Sequence, residues 1–128
     1  MDFPEDLKYT PGDMWVRVEG VEAVVGVTAF AQAAMGSIDV VQVPQVGQQF
    51  HQGDFLGTLE SHQAASEVPS PISGVVAAVN TDLVSAPDTV NNDPYGGGWI
   101  VRLSPSNLSE LNGLLSATDY RSTVEARS

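Results

Sequence analysis

The chain has 128 residues, with sixteen acidic residues against five basic ones, a formal net charge of −11, and no cysteine. The missing cysteine excludes disulfides, thiolate metal sites and a cysteine nucleophile together, and the negative field disfavours phosphate backbones and anionic lipid surfaces. With 42% hydrophobic and 16% charged residues, the composition is that of a globular chain sized for one domain over residues 1–128. The longest apolar runs, such as Gly74 to Val79, are too short to cross a bilayer, and no basic, apolar leader opens the chain. The expectation is therefore a soluble cytoplasmic protein that binds neither nucleic acid nor membrane.

In chain order, Trp15–Glu19 and Val21–Val27 flank Gly20 and read as an antiparallel hairpin. Thr28 is placed to cap a short alanine-rich helix from Ala29 that ends near Gly36. Ser37–Val43 returns to strand with apolar residues on both faces, a pattern that predicts a strand sandwiched between layers. Gln48–His51 is a brief strand. Phe55–Ser61 and Ala64–Val68 are two strands with His62 and Gln63 at the tip between them. Pro69-Ser70-Pro71 stiffens the exit, Val75–Val79 is a strand, and Asn80–Val90 reads as a long loop. Trp99–Leu103 is the last strand. Pro105 followed by Leu108, Leu111, Leu114 and Leu115 predicts a helix with one apolar face, and Ser116 is placed to cap a final helix carrying Ala117, Tyr120 and Val124.

Few of these segments carry a chemical signal of their own. Asp88, Asn91, Asn92 and Asp93 lack the alternating ligand spacing of a calcium loop. Gly96-Gly97-Gly98 is followed by no lysine and opens a strand, so it is not a phosphate loop. His62 reads as a solvated tip residue and His51 has no partner nearby in sequence. Trp15 and Trp99 read as packing groups. No metal site and no nucleophile–base–oxyanion set is visible, so an enzyme is not expected.

Taken together, several segments resemble the H protein of the glycine cleavage system. They are Leu7-Lys8-Tyr9-Thr10 with Trp15-Val16; Val25-Gly26-Val27-Thr28 with Ala31-Gln32; Gly36-Ser37-Ile38 leading to Val43-Pro44 and Val46-Gly47; and Glu60-Ser61 and Ala64-Ala65-Ser66 around the tip. Ser70 to Gly74, Val79-Asn80, Val90-Asn91, Pro94-Tyr95 and Gly98-Trp99 complete the series. The resemblance implies a mainly β, lipoyl-domain-like barrel-sandwich hybrid, with short helices near residues 29–35 and at the C-terminus. It also implies a carrier without catalytic residues, whose tip lysine is acylated with lipoate. In the family that arm accepts an aminomethyl group from glycine decarboxylase and delivers it to the aminomethyltransferase.

Two departures qualify the resemblance. The lysine position is matched by Gln63, flanked by Glu60, Ser61, His62, Ala64, Ala65, Ser66 and Glu67. An amide nitrogen has its lone pair delocalised and cannot attack an activated acyl group, and the chain's single lysine is Lys8. The family's His-Glu pair before the tryptophan is matched by Asp13-Met14, after Gly12, in the region that lines the arm's cleft. Methionine there removes a carboxylate and adds apolar, adaptable surface. The expectation is a non-lipoylated homologue that needs no cofactor and binds proteins, among them the aminomethyltransferase, glycine decarboxylase or a lipoate ligase. A genuine aminomethyl carrier seen in a lysine-to-glutamine form is the alternative.

Overall fold

The structure is a computed structural model that describes residues 1–127. Three strands open it: β1 (Lys8–Tyr9), β2 (Met14–Glu19) and β3 (Glu22–Val27). The last two pair in register from Met14 opposite Val27 to Glu19 opposite Glu22, and Gly20 supplies the positive φ of 62° that the tight turn requires. Helix α1 (Ala29–Met35) follows at once. Then come β4 (Ile38–Gln42), β5 (Gln49–Phe50), β6 (Phe55–Ser61), β7 (Ala65–Pro69), β8 (Gly74–Val79) and β9 (Val101–Pro105). Two single turns, α2 (Asp82–Ser85) and α3 (Thr89–Asn92), lie between β8 and β9, and the final helix is α4 (Ala117–Arg127).

The strands divide into a six-stranded sheet of order β1-β2-β3-β9-β8-β5 and a three-stranded sheet of order β4-β6-β7. Strand periodicity decides what lies between them. Met14, Val16, Ala23 and Val25 from the large sheet meet Ile38, Val41, Leu59 and Val68 from the small one in the main core. The alternate residues Trp15 and Val24 point the other way, into a second cluster with Phe3, Leu7, Tyr9 and the α4 residues Ala117, Tyr120 and Val124. The large sheet is thus covered on both faces at β2 and β3, which is why Ala23 to Val27 are all buried. This mainly β hybrid of two sheets with helices outside is the architecture expected.

Three local expectations are corrected. Ile38 and Val41 are buried while Asp39, Val40 and Gln42 are exposed, so β4 is half-exposed and not sandwiched. A bulge between Ile38 and Val40 breaks the simple alternation. The segment 80–90 is not a plain loop; it holds α2 (Asp82–Ser85) and runs into α3 (Thr89–Asn92), which bury Leu83 and Val90. After Pro105, which ends β9, only a 3₁₀ turn forms over Leu108–Gly113, and Leu108 is 61% exposed. Asn107 caps that turn by accepting from Ser109 N–H, and the turn ends at Leu114, too soon for the leucines to share an α-helical face. The two-residue β1 gave no strand-length signal. Ser116 caps α4 as expected, accepting from Asp119 N–H at 3.1 Å.

At Gly57 a side chain would run into the Gln42 carbonyl of β4. Gly57→Ala is therefore expected to pry β4 from β6 and lower stability by about 1–3 kcal/mol, read as a shift in the urea midpoint.

Candidate functional site: the hairpin tip and the cleft beside α1

Strands β6 and β7 form a hairpin whose tip leans on α1. The pair runs from Phe55 opposite Pro69 to Glu60 opposite Ala65, with a register shift between Phe55 and Gly57, and closes with Ser61 N–H on the Ala64 carbonyl at 2.8 Å. His62, Gln63 and Ala64 make the turn; the sequence places His62 and Gln63 there, whereas Ala64, read as the first residue of the next strand, lies before β7, which begins at Ala65. The Ser61 hydroxyl organises it from inside, accepting from Ala64 N–H at 3.2 Å and donating to the Met35 carbonyl at 2.7 Å. The Gln63 side-chain amide donates to the same carbonyl at 3.0 Å. His62 is 95% exposed, with Nε2 3.5 Å from Asp39 on β4. Among the described residues no cluster of histidine and carboxylate side chains could hold a metal.

Helix α1 is fixed at its other end by a network that runs from the buried Thr28–Tyr120 pair out to the surface at Arg127. Thr28 caps it, its hydroxyl accepting from Ala31 N–H at 3.2 Å. The same hydroxyl lies 2.7 Å from the Tyr120 hydroxyl, which donates to Asp13 at 2.9 Å. Arg127 forks onto both oxygens of Asp13, at 2.6 and 3.2 Å. Its guanidinium also stacks 4.8 Å from the Phe30 ring of α1. Asp13 takes a positive φ of 68°, a conformation that aspartate tolerates better than most residues. At the C-terminal end, the Asn91 amide donates to Gln32 and to the Gly36 carbonyl, and its oxygen accepts from Ile38 N–H.

Between the Gly12–Met14 segment, α1 and β7 lies a cleft of about 150 Å³. Its floor is apolar, made by Met14, Met35 and Leu59, which are 1%, 6% and 2% exposed; Ser66 and Glu67 stand at its rim. Here the expectation for Met14 is corrected. It adds no adaptable surface, because the β2 pleat turns it into the core beneath the cleft. Asp13 lines the cleft too, but Tyr120 and Arg127 already engage its carboxylate. Glu67 is the remaining acid, exposed on β7. The structure thus brings Gly12, Asp13, Met14, Ser66 and Glu67 to one cleft, and Ser61, His62, Gln63 and Ala64 to the tip beside it. Glu60, Ala65 and Glu67 face outward from the same hairpin, next to Thr58, so that Glu67 meets the cleft only at its rim.

A roomier recess of about 330 Å³ lies between Thr10–Gly12 and Pro69–Pro71. It has no ionisable lining, and Ser70, its buried hydroxyl, is occupied by the Ile72 carbonyl at 2.7 Å. His51 sits elsewhere, on the Gly53 turn beside Asp54. Asp93 receives Gly97 N–H as a turn brace. Sequence reasoning missed Asn91, Thr28's second partner, Tyr120 and Arg127 as site supports. Arg127 lies 114 residues from Asp13, and no local pattern joins them.

Burial pushes the Tyr95 hydroxyl up to about 12, against the Ala29 N–H that it accepts. Tyr9 and Tyr120 are raised further by the same cause, with the neighbouring Asp13 adding to the rise at Tyr120. The Asp13 hydrogen bond raises Arg127 above its ordinary value.

A family model described as "Glycine cleavage H-protein" matches residues 7–127. The chain is 48% identical over 124 residues to a glycine cleavage system H protein from Nitratidesulfovibrio vulgaris, covering 97% of this chain and 96% of that protein. It is 42% identical over 122 residues to the one from Carboxydothermus hydrogenoformans, covering 95% and 94%. Among solved structures, a glycine cleavage system H protein from Mycobacterium marinum superposes with a TM-score of 0.88 at 33% identity, covering 96% of this chain and 99% of that one.

The three raised tyrosines set the alkaline behaviour. Each stays protonated in the fold after it would ionise in the unfolded chain, so the unfolded state binds fewer protons above about pH 10. Their stabilisation is complete below that pH and is lost as pH rises toward about 12 for Tyr95. Tyr120→Phe is expected to lose about 1–3 kcal/mol at neutral pH and to show a shallower alkaline fall, measured by urea unfolding across pH 8–11.

Proposed function

The chain belongs to the glycine cleavage H-protein family, and we propose that it is a member that carries no lipoyl group and acts by binding partner proteins. One observation supports this reading: the position matched to the family's lysine is Gln63, at the centre of the tip. Attachment requires an amine that loses a proton and attacks an activated lipoyl carbonyl; a carboxamide nitrogen does neither. The only lysine, Lys8, is on β1 of the other sheet and cannot stand in for it. Glu60, Ser61, Ala64, Ala65, Ser66 and Glu67 remain as the flanks of a site without its acceptor. The H protein is a carrier and not a catalyst, and no reacting group is ascribed to this chain.

The cleft supports the same reading. An aminomethylated arm ends in a cationic amine, which calls for a carboxylate at close range. Met14 is buried in the floor, Asp13 is engaged by Arg127, and Glu67, at the rim, shares the outer face of the hairpin with Thr58, Glu60 and Ala65. Over residues 1–128 the chain acts as one H-protein-like domain whose remaining asset is its surface. With a net charge of −11, it favours a partner with a basic face, and the enzymes of glycine cleavage or a lipoate ligase are its first candidates. Binding is expected to be micromolar and to weaken as salt rises.

A second reading is a genuine aminomethyl carrier in a lysine-to-glutamine form. It is favoured by the intact flanks of the tip and by the identity along nearly the whole length of its relatives. The codon at position 63 of the native gene separates the two: glutamine removes the second reading and lysine supports it.

Incubated with lipoate ligase, ATP and lipoate, the protein is expected to gain no mass by intact mass spectrometry. A lipoyl adduct on any residue would overturn the proposal.

Gln63→Lys is expected to take up lipoate, yet to support glycine–bicarbonate exchange about tenfold or more below a family H protein, the effect of one missing charge-assisted contact. Adding Met14→Glu should recover part of that activity at a cost in stability, since position 14 is 1% exposed. Full activity of the single variant would show that the cleft needs no acid there.

A further inference from the structure

Gln63 has a structural partner that its identity alone does not suggest. Its Nε2 donates to the Met35 carbonyl at 3.0 Å, the oxygen that also accepts the Ser61 hydroxyl at 2.7 Å. Met35 is the last residue of α1, and the carbonyls of a final helical turn have no partner within the helix. The next residue, Gly36, has a φ of 77°, and a Cβ there would collide with the Gln63 amide. The glycine therefore serves twice, allowing the left-handed turn that ends α1 and leaving room for the amide to lie over it.

Met35 faces both ways. Its backbone oxygen is held by the hairpin, while its side chain, 6% exposed, forms a wall of the cleft. Asn91 fastens the adjoining Gly36 carbonyl from α3 at 2.8 Å. Tip, helix end and cleft wall thus meet at one peptide unit.

We propose that Gln63 is a positioning residue that latches the hairpin tip to the C-terminal end of α1 and thereby sets the Met35 wall of the cleft. The latch makes the tip a closed surface, with a neutral amide at position 63, that a partner meets as a fixed shape. The chemistry selects the residue type. Glutamine presents a neutral N–H donor to the carbonyl. Glutamate, nearly the same in shape, presents an acceptor to an acceptor and releases the latch, unless it is protonated and donates through its O–H. The inference rests on hydrogen-bond geometry, and its test reads conformation without a lipoylation step, so it succeeds or fails apart from the functional reading above.

The test uses the full chain labelled with carbon-13 and nitrogen-15, as wild type, Gln63→Glu and Gln63→Ala. In Gln63→Glu at pH 7 the Met35 carbonyl and methyl resonances should move away from wild type, and amide exchange at Ala64 should quicken about tenfold. As pH falls through the ordinary glutamate range, about 4.3, the Met35 signals should return toward wild-type values recorded at the same pH. Gln63→Ala should show the displaced signals at every pH, with no return. The latch is overturned if the Met35 signals are unchanged in both variants at pH 7. It is equally overturned if Gln63→Glu follows Gln63→Ala across the whole titration.

Discussion

A seven-residue helix has too few internal hydrogen bonds to hold itself in water, and α1 depends on side chains from four other parts of the chain. Thr28 closes its first turn from within a network that ends on Tyr120, Asp13 and Arg127. Ser61, Gln63 and Asn91 close its last. The cleft exists because α1 is held away from β7 at both ends, with Met35 and Ala31 on one side and Ser66 and Glu67 on the other. The three-stranded sheet and the C-terminal helix, which share little direct contact, are coupled through this one element.

The same arrangement decides the electrostatics of the cleft. Asp13 looks in sequence like an acid available to a ligand, but its left-handed backbone turns it toward the C-terminal helix, where Arg127 satisfies both oxygens. The Asp13 hydrogen bond in turn raises Arg127 above its ordinary value. What remains is an apolar floor and one exposed glutamate.

Much of the fold was legible because it rests on local rules. The Gly20 hairpin, the Thr28 cap, the Phe55–Ser61 strand and the buried stripe of α4 each follow from a turn residue, a capping oxygen or a side-chain period. The misreadings came where tertiary geometry overrides those rules. The bulge in β4 lets Ile38 and Val41 share the core although they are three residues apart. The leucines after Pro105 obey a helical spacing, yet only Leu108 and Leu111 fall within the 3₁₀ turn that Asn107 caps, and Leu115 pairs with Tyr9 instead. At the site, the composition of the tip was readable from residues 60–67, but what the tip touches was not. Gln63 and Met35 are 28 residues apart, and Asp13 and Arg127 are 114 apart; neither pair leaves a trace in local pattern.

The account turns on the chemical state of one side chain in the organism that makes this protein. Intact mass and peptide mapping of the chain purified from its native source would read that state directly. The account predicts the unmodified mass, with glutamine at position 63 in the tip peptide and lipoate on no residue. A tip peptide carrying lysine, or a lipoyl adduct anywhere in the chain, would contradict it.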